Sequence, residues 1–160
     1  MNLTWSRCIG MIVLALPLCS TAWATPCDAD SDGSLDPAAM IVYKLGTPVP
    51  QCALVDLGDP ANLGGTMLEG DPKIAARVDY ARDGMLAGVF QATRGTALIH
   101  FPFTEHATII YGSVTLTDET GQTKTYHVGD SYFIRQGSVI LWEVRGRLVQ
   151  KSFFNIVETR

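Results

Sequence analysis

Residues 88–121, GVFQATRGTALIHFPFTEHATIIYGSVTLTDETG, carry short runs of Val, Ile, Leu, Thr and Phe broken by Gly and Asp, with Glu105 as a lone acid between apolar runs. Runs of this kind read as β-strands. The texture extends both ways, with candidate strands at 76–80, 86–93, 96–101, 106–111, 113–118, 123–128, 131–135, 139–144 and 148–157. TLTDETGQTKTYHV alternates about a turn at Glu119 to Gln122, and EVRGRLV predicts a second hairpin at Gly146. Nine short strands with close turns predict an all-β sandwich or small barrel.

The same stretch, followed by YHVGDSYFIRQGSVILWEV at 126–144, resembles the cupin superfamily. Within it, the match is to the branch holding (S)-ureidoglycine aminohydrolase-like and ethanolamine-utilisation-like domains. That branch reads G-V-W-x-A-T-P-G, F-P-x-x-E, L-x-G-x-V-x-L-T-D, G-D-x-F-x-I-P-x-G and T-W-E-V, in this order. The resemblance spans Gly88 to Val144 and implies a double-stranded β-helix, the cupin jelly-roll barrel.

Cupins of this pattern usually bring a metal into the barrel through H-x-H-x(3)-E-x(6)-G and G-x(5)-P-x-G-x(2)-H. Glu105 and Gly112 fit the first motif, which places Ile99 and Phe101 on its histidines; Gly129 and Gly137 fit the second, which places Arg135 on its proline and Ile140 on its histidine. Three of the four usual ligand positions are therefore apolar. A catalytic site for a divalent ion needs about three protein ligands, so no metal is expected at the barrel site and no cofactor is implied. Strand parity turns His100 away from the lumen if 99 and 101 face it, and from Glu105 it sends Ala107, Ile109 and Tyr111 inward and His106 outward.

Glu105 in an apolar lumen is expected to be a catalytic acid or base or a ligand anchor, unless a cation or backbone donors hold it for structural reasons alone. The resemblance points Trp142 inward too, as a wall for a planar or sugar-like ligand or as a large core residue. Phe101, Tyr111, Ile140 and Trp142 form the expected ligand-binding set. Arg94 and Arg135, where the branch has prolines, are either surface charges or rim groups for an anion.

Ahead of the strands, MNLTWSR, the apolar run CIGMIVLALPLC and Ala22-x-Ala24 read as a signal peptide over 1–24, cut after Ala24. Its loss removes Arg7 and leaves 11 basic against 16 acidic residues, a net charge of −5. No basic run suggests nucleic acid as a partner, and no later segment is long enough to cross a membrane as a helix. The expected product is secreted or periplasmic. Residues 25–60 read as an N-terminal arm ahead of a cupin domain at 61–160, with one helix at Asp36 to Leu45, capped by Asp36 with Pro37 at its first position. Cys27 and Cys52 bracket this arm and are expected to form a disulfide. Asp28, Asp30, Asp32 and Asp36 match positions of a calcium loop, but Ala39 stands where the bidentate glutamate belongs.

These features predict an exported cupin-domain protein that binds a small molecule in its barrel without the usual metal. A cupin enzyme using Glu105 as acid/base, or a structural module whose barrel is filled by its own side chains, are the alternatives. Assembly into a homodimer stays open.

Overall fold

The computed structural model describes residues 40–158. The signal peptide, Cys27 and the four aspartates of the acidic loop lie outside them. Among the described residues nine strands run β1 (Val55–Gly58), β2 (Gly65–Gly70), β3 (Ile74–Arg82), β4 (Met85–His100), β5 (Thr104–Tyr111), β6 (Ser113–Thr117), β7 (Thr123–His127), β8 (Ser131–Ile134) and β9 (Val139–Ile156). All of their pairings are antiparallel.

The two long strands organise the barrel. β4 and β9 pair from Met85↔Ile156 to His100↔Val139. The first half of β4 also pairs with β3 and its second half with β2, while β9 pairs with β6 near its start and with β5 over its end. Each long strand thus serves two sheet halves that fold over one another. Their shared core draws Ile74, Ala107, Ile109, Val149 and Phe153 from one half and Val114, Leu116, Ile140, Trp142 and Val144 from the other. This is the jelly-roll architecture.

The long strands correct one expectation. No hairpin forms at Gly146: the ladder steps from Thr93↔Leu148 to Gly95↔Val144, so residues 145–147 of β9 oppose Arg94 alone. Extra residues on one strand bend it without ending it. Arg94 Nε donates to the Arg145 carbonyl at 2.8 Å, satisfying a group that the bulge takes out of the ladder. On β4 the bend falls at Gly95, where a Cβ would sit 2.5 Å from Pro72 Cδ. The other expected turn is present: β6 and β7 pair from Ser113↔His127 to Thr117↔Thr123, and Asp118 Oδ1 accepts from the backbone of Thr120 and Gln122.

The second correction concerns the arm. The described part of the expected helix is not helical; Met40 to Lys44 have no regular structure and Leu45–Gly46 form a turn. Tertiary contacts outweigh its modest helix propensity. Tyr43 and Val49 pack on Leu54, Ala75, Val89 and Ile110, Tyr43 Oη donates to Asp79 at 2.9 Å, and Gly46 N donates to the Ile110 carbonyl. Burial and Asp79 push the Tyr43 hydroxyl up to about 12. Farther along, β1 pairs with β3, so the end of the arm is a strand of the sheet.

Candidate functional site

Glu105 lies on β5 between Thr104 and His106, opposite Asn155 of β9 and Ile134 of β8. It is 1% exposed. Its Oε1 accepts from Lys151 Nζ at 2.5 Å and from the Tyr132 hydroxyl at 2.9 Å. Lys151 is 5% exposed, and its ammonium is ringed by aromatics, with Nζ 4.8 Å from the Trp142 ring centre, 5.0 Å from Phe90, 5.7 Å from Tyr132 and 5.9 Å from Phe101. Cations over aromatic faces are attracted by the ring quadrupole, more so when desolvated.

The electrostatics follow from burial. Desolvation pulls the Lys151 amine below its ordinary value, against the opposing pull of Glu105. Desolvation and the Glu105 charge drive the Tyr132 hydroxyl well above its own, so it stays a donor.

Beside the pair opens an apolar cavity of about 450 Å³. Phe90, Ile99, Phe101, Phe103, Trp142 and Phe153 supply much of its wall, and Glu105, Lys151 and Asn155 its polar points. Two lining residues carry buried atoms with no hydrogen-bond partner among the described residues: the Trp142 indole Nε1, a donor, and the Asn155 Oδ1, an acceptor. Buried polar groups are nearly always paired, and exceptions call for an explanation.

Several expected site residues fall together here. Glu105, Phe101 and Trp142 line this cavity. Ile140 is buried but faces a second cleft, with Leu116, Tyr126, Tyr132 and Arg135 among its lining. Tyr111 lines neither. The parity count from Glu105 breaks at Ile110, because Ile109 pairs with Lys151 and Tyr111 with Gln150, leaving Ile110 as an extra residue. That bulge lets Ile109 enter the barrel core and its neighbour Ile110 the cluster under the arm. His100, His106 and His127 are exposed.

Sequence reasoning missed Lys151, Tyr132 and Asn155. A usable signal was present in LVQKSFFNIV: alternation puts Lys151 on one face with Val149 and Phe153, and a lone lumen acid needs a cation.

The residues do not fit the metal that barrels of this pattern usually hold. Ile99, Phe101 and Ile140 offer no donor, and the one carboxylate is engaged by an ammonium and a phenol. Among the described residues no three His, Cys, Asp or Glu side chains converge. An internal cation, Lys151, stands against Glu105 instead.

Comparisons with known proteins place this barrel. Residues 81–153 match the family model for the EutQ-like cupin domain. Over those residues the chain is similar to the EutQ-like cupin domain. Among solved structures, the Clostridium difficile EutQ protein is similar over 69% of this chain and 81% of its own, at 15% identity and a TM-score of 0.51. A protein of unknown function from Pseudomonas syringae pv. tomato is similar over 64% of this chain and 43% of its own, at 23% identity and a TM-score of 0.56. At these identities the likeness is one of fold. No curated protein matches the chain in sequence. The cupin motif glycine Gly112 earns its place locally: it follows β5 at φ 74°, where a Cβ would meet the Leu148 carbonyl oxygen at 2.3 Å.

Proposed function

We propose that this cupin domain binds a small, largely apolar molecule in its lumen, with the ligand's polar end beside Glu105, Lys151, Trp142 and Asn155. The observation that carries this reading is the cavity itself: apolar and aromatic walls, a few convergent polar groups, and two buried polar atoms left unpaired. Ligand sites have this composition, and a barrel filled by its own side chains would not leave such a space. An alcohol on an aromatic body suits it, since a hydroxyl both accepts from an indole N–H and donates to an amide oxygen.

The test is calorimetric titration with naphthylmethanol, in the parent and in Trp142→Phe. Saturable binding that weakens about tenfold in the variant supports the site, as one hydrogen bond to a buried group is worth roughly 1–1.5 kcal/mol. Absence of saturable binding across a panel of such aromatic alcohols removes this reading.

The protein is further proposed to act after export, with Cys27 joined to Cys52. The leader-like first 24 residues support export. The bridge draws support from the cysteine count, since only Cys27 and Cys52 remain after the leader and such a pair in an exported chain tends to be oxidised. Mass spectrometry of a non-reduced digest of the exported protein decides it; two freely alkylated thiols would reject the bridge.

A further inference from the structure

A buried amine at the wall of an apolar cavity, touching a carboxylate, is more than an anchor. We propose that Lys151 captures apolar aldehydes covalently, forming an imine through Nζ inside the lumen. This rests on the cavity being a ligand site, as proposed above.

Three observations combine. Lys151 lines the cavity, and its Nζ lies 4.8 to 5.9 Å from the ring centres of Trp142, Phe90 and Phe101, which line the same cavity. The surroundings are aromatic, with Trp142 and Phe90 rings about the amine, whose faces attract the cation but return less than burial takes from its hydration. The groups that titrate beside it are Glu105, 2.5 Å away, and Tyr132, which donates to the same Glu105 oxygen. Lysines become nucleophiles when desolvated in hydrophobic pockets, and the lowered value of this amine acts in the same direction.

The proton has a complete route. Glu105 takes one proton from the ammonium, freeing the nitrogen lone pair. Nζ then bonds to the carbonyl carbon, the C=O π pair moves to oxygen, and a proton passes from nitrogen to that oxygen to give a carbinolamine. Glu105 returns its proton to the hydroxyl, which leaves as water, while the nitrogen lone pair forms the C=N bond. The product is a protonated imine that keeps one positive charge against the restored carboxylate. Aldehyde and ammonium give iminium and water, with no oxidant or further reactant. Tyr132 keeps its proton throughout and holds Glu105 in place.

The experiment uses naphthaldehyde and cyanoborohydride on the whole protein at about pH 7, followed by peptide mapping. The lysines Lys44, Lys73 and Lys124 are exposed and serve as internal controls. The peptide bearing Lys151 should gain a naphthylmethyl group faster than theirs, since the lumen holds the aldehyde against an amine whose lowered basicity enlarges its reactive neutral fraction. Excess naphthylmethanol should suppress this labelling and leave the controls unchanged. Glu105→Gln frees more neutral amine but removes the group that returns a proton to the leaving hydroxyl, so labelling at saturating naphthaldehyde should slow. If naphthylmethanol binds saturably but Lys151 is labelled no faster than the surface lysines, the covalent step is wrong and the cavity reading stands. If naphthylmethanol does not bind and Lys151 is not labelled, the cavity reading itself has failed. Labelling of Lys151 that naphthylmethanol does not suppress overturns the proposed location of the carbonyl in the lumen.

Discussion

Gln150 and Lys151 are neighbours on β9, both polar, both at least 95% buried, and they face opposite sides of the same sheet. On the outer side Gln150 is saturated. Its Oε1 accepts from Val49 N at 2.7 Å, and its Nε2 donates to the Val49 carbonyl and to Gln91 Oε1, each at 2.8 Å. Gln91 passes the chain on to Gln51. Neutral amides thereby clamp the arm to the barrel and leave nothing over. On the inner side Lys151 meets one carboxylate and a ring of aromatic faces, and unpaired atoms of Trp142 and Asn155 share its cavity. Polar burial that only holds structure is completed within the chain; polar burial beside a cavity keeps capacity for something else.

The sharpest way to break this contrast is to remove the charge. Lys151→Met leaves Glu105 buried without its cation and should cost about 3–5 kcal/mol in urea unfolding, with most of it regained on adding Glu105→Gln. A single variant as stable as the parent would mean that the pair is open to water. On the other face, Gln150→Ala should cost about 2–3 kcal/mol, because Val49 and Gln91 lose partners together. Amide exchange should localise that loss to residues 40–51; uniform loss across the barrel would show that the arm is not clamped there.

Titration reports on the inner face alone, since the amides of the outer face carry no titrating group. The Lys151 amine is lowered on folding, so between its folded value and the ordinary 10.5 the unfolded chain holds more protons and stability rises with pH, by at most about 1.4 kcal/mol per unit. Tyr132 has the opposite sign. Its hydroxyl is raised on folding, so above about pH 10 the unfolded chain loses the proton first and stability falls. Denaturation midpoints measured against pH should show this rise in the parent and lack it in Lys151→Met; an identical rise in both would assign it elsewhere.

The smallest effect is expected at Trp142→Phe, which deletes a buried donor with no partner and keeps most of the aromatic area. Stability should change by no more than about 1 kcal/mol. A loss comparable with Gln150→Ala would place that indole in the structural class.

Much of this was legible in the chain. The spacing of Gly88, Glu105, Gly112, Gly129 and Gly137 carried the resemblance that implied the barrel, and the β6–β7 hairpin followed from alternation about a turn at Glu119 to Gln122. The cupin resemblance sent Glu105, Phe101 and Trp142 inward, and period-two alternation extended that assignment to their strand neighbours. Where the inference crossed a bulge it broke. Ile110 shifted Tyr111 out of the counted parity, and residues 145–147 turned an expected hairpin into a bend.

The sequence alone therefore determined the strand content, the order of the motifs and the unsuitability of positions 99, 101 and 140 for a metal, because each depends on residue type and short spacing. Tertiary structure alone decided that Lys151 is the cation of Glu105, 46 residues away along the chain. It also decided that the described part of the arm docks on the sheet without helix over residues 40–45, the part of the expected Asp36 to Leu45 helix that is described. The physical reason is common to both. Charge pairing and arm docking are long-range contacts whose free energy comes from desolvating surfaces that meet only once β4 and β9 have bent the two sheet halves together.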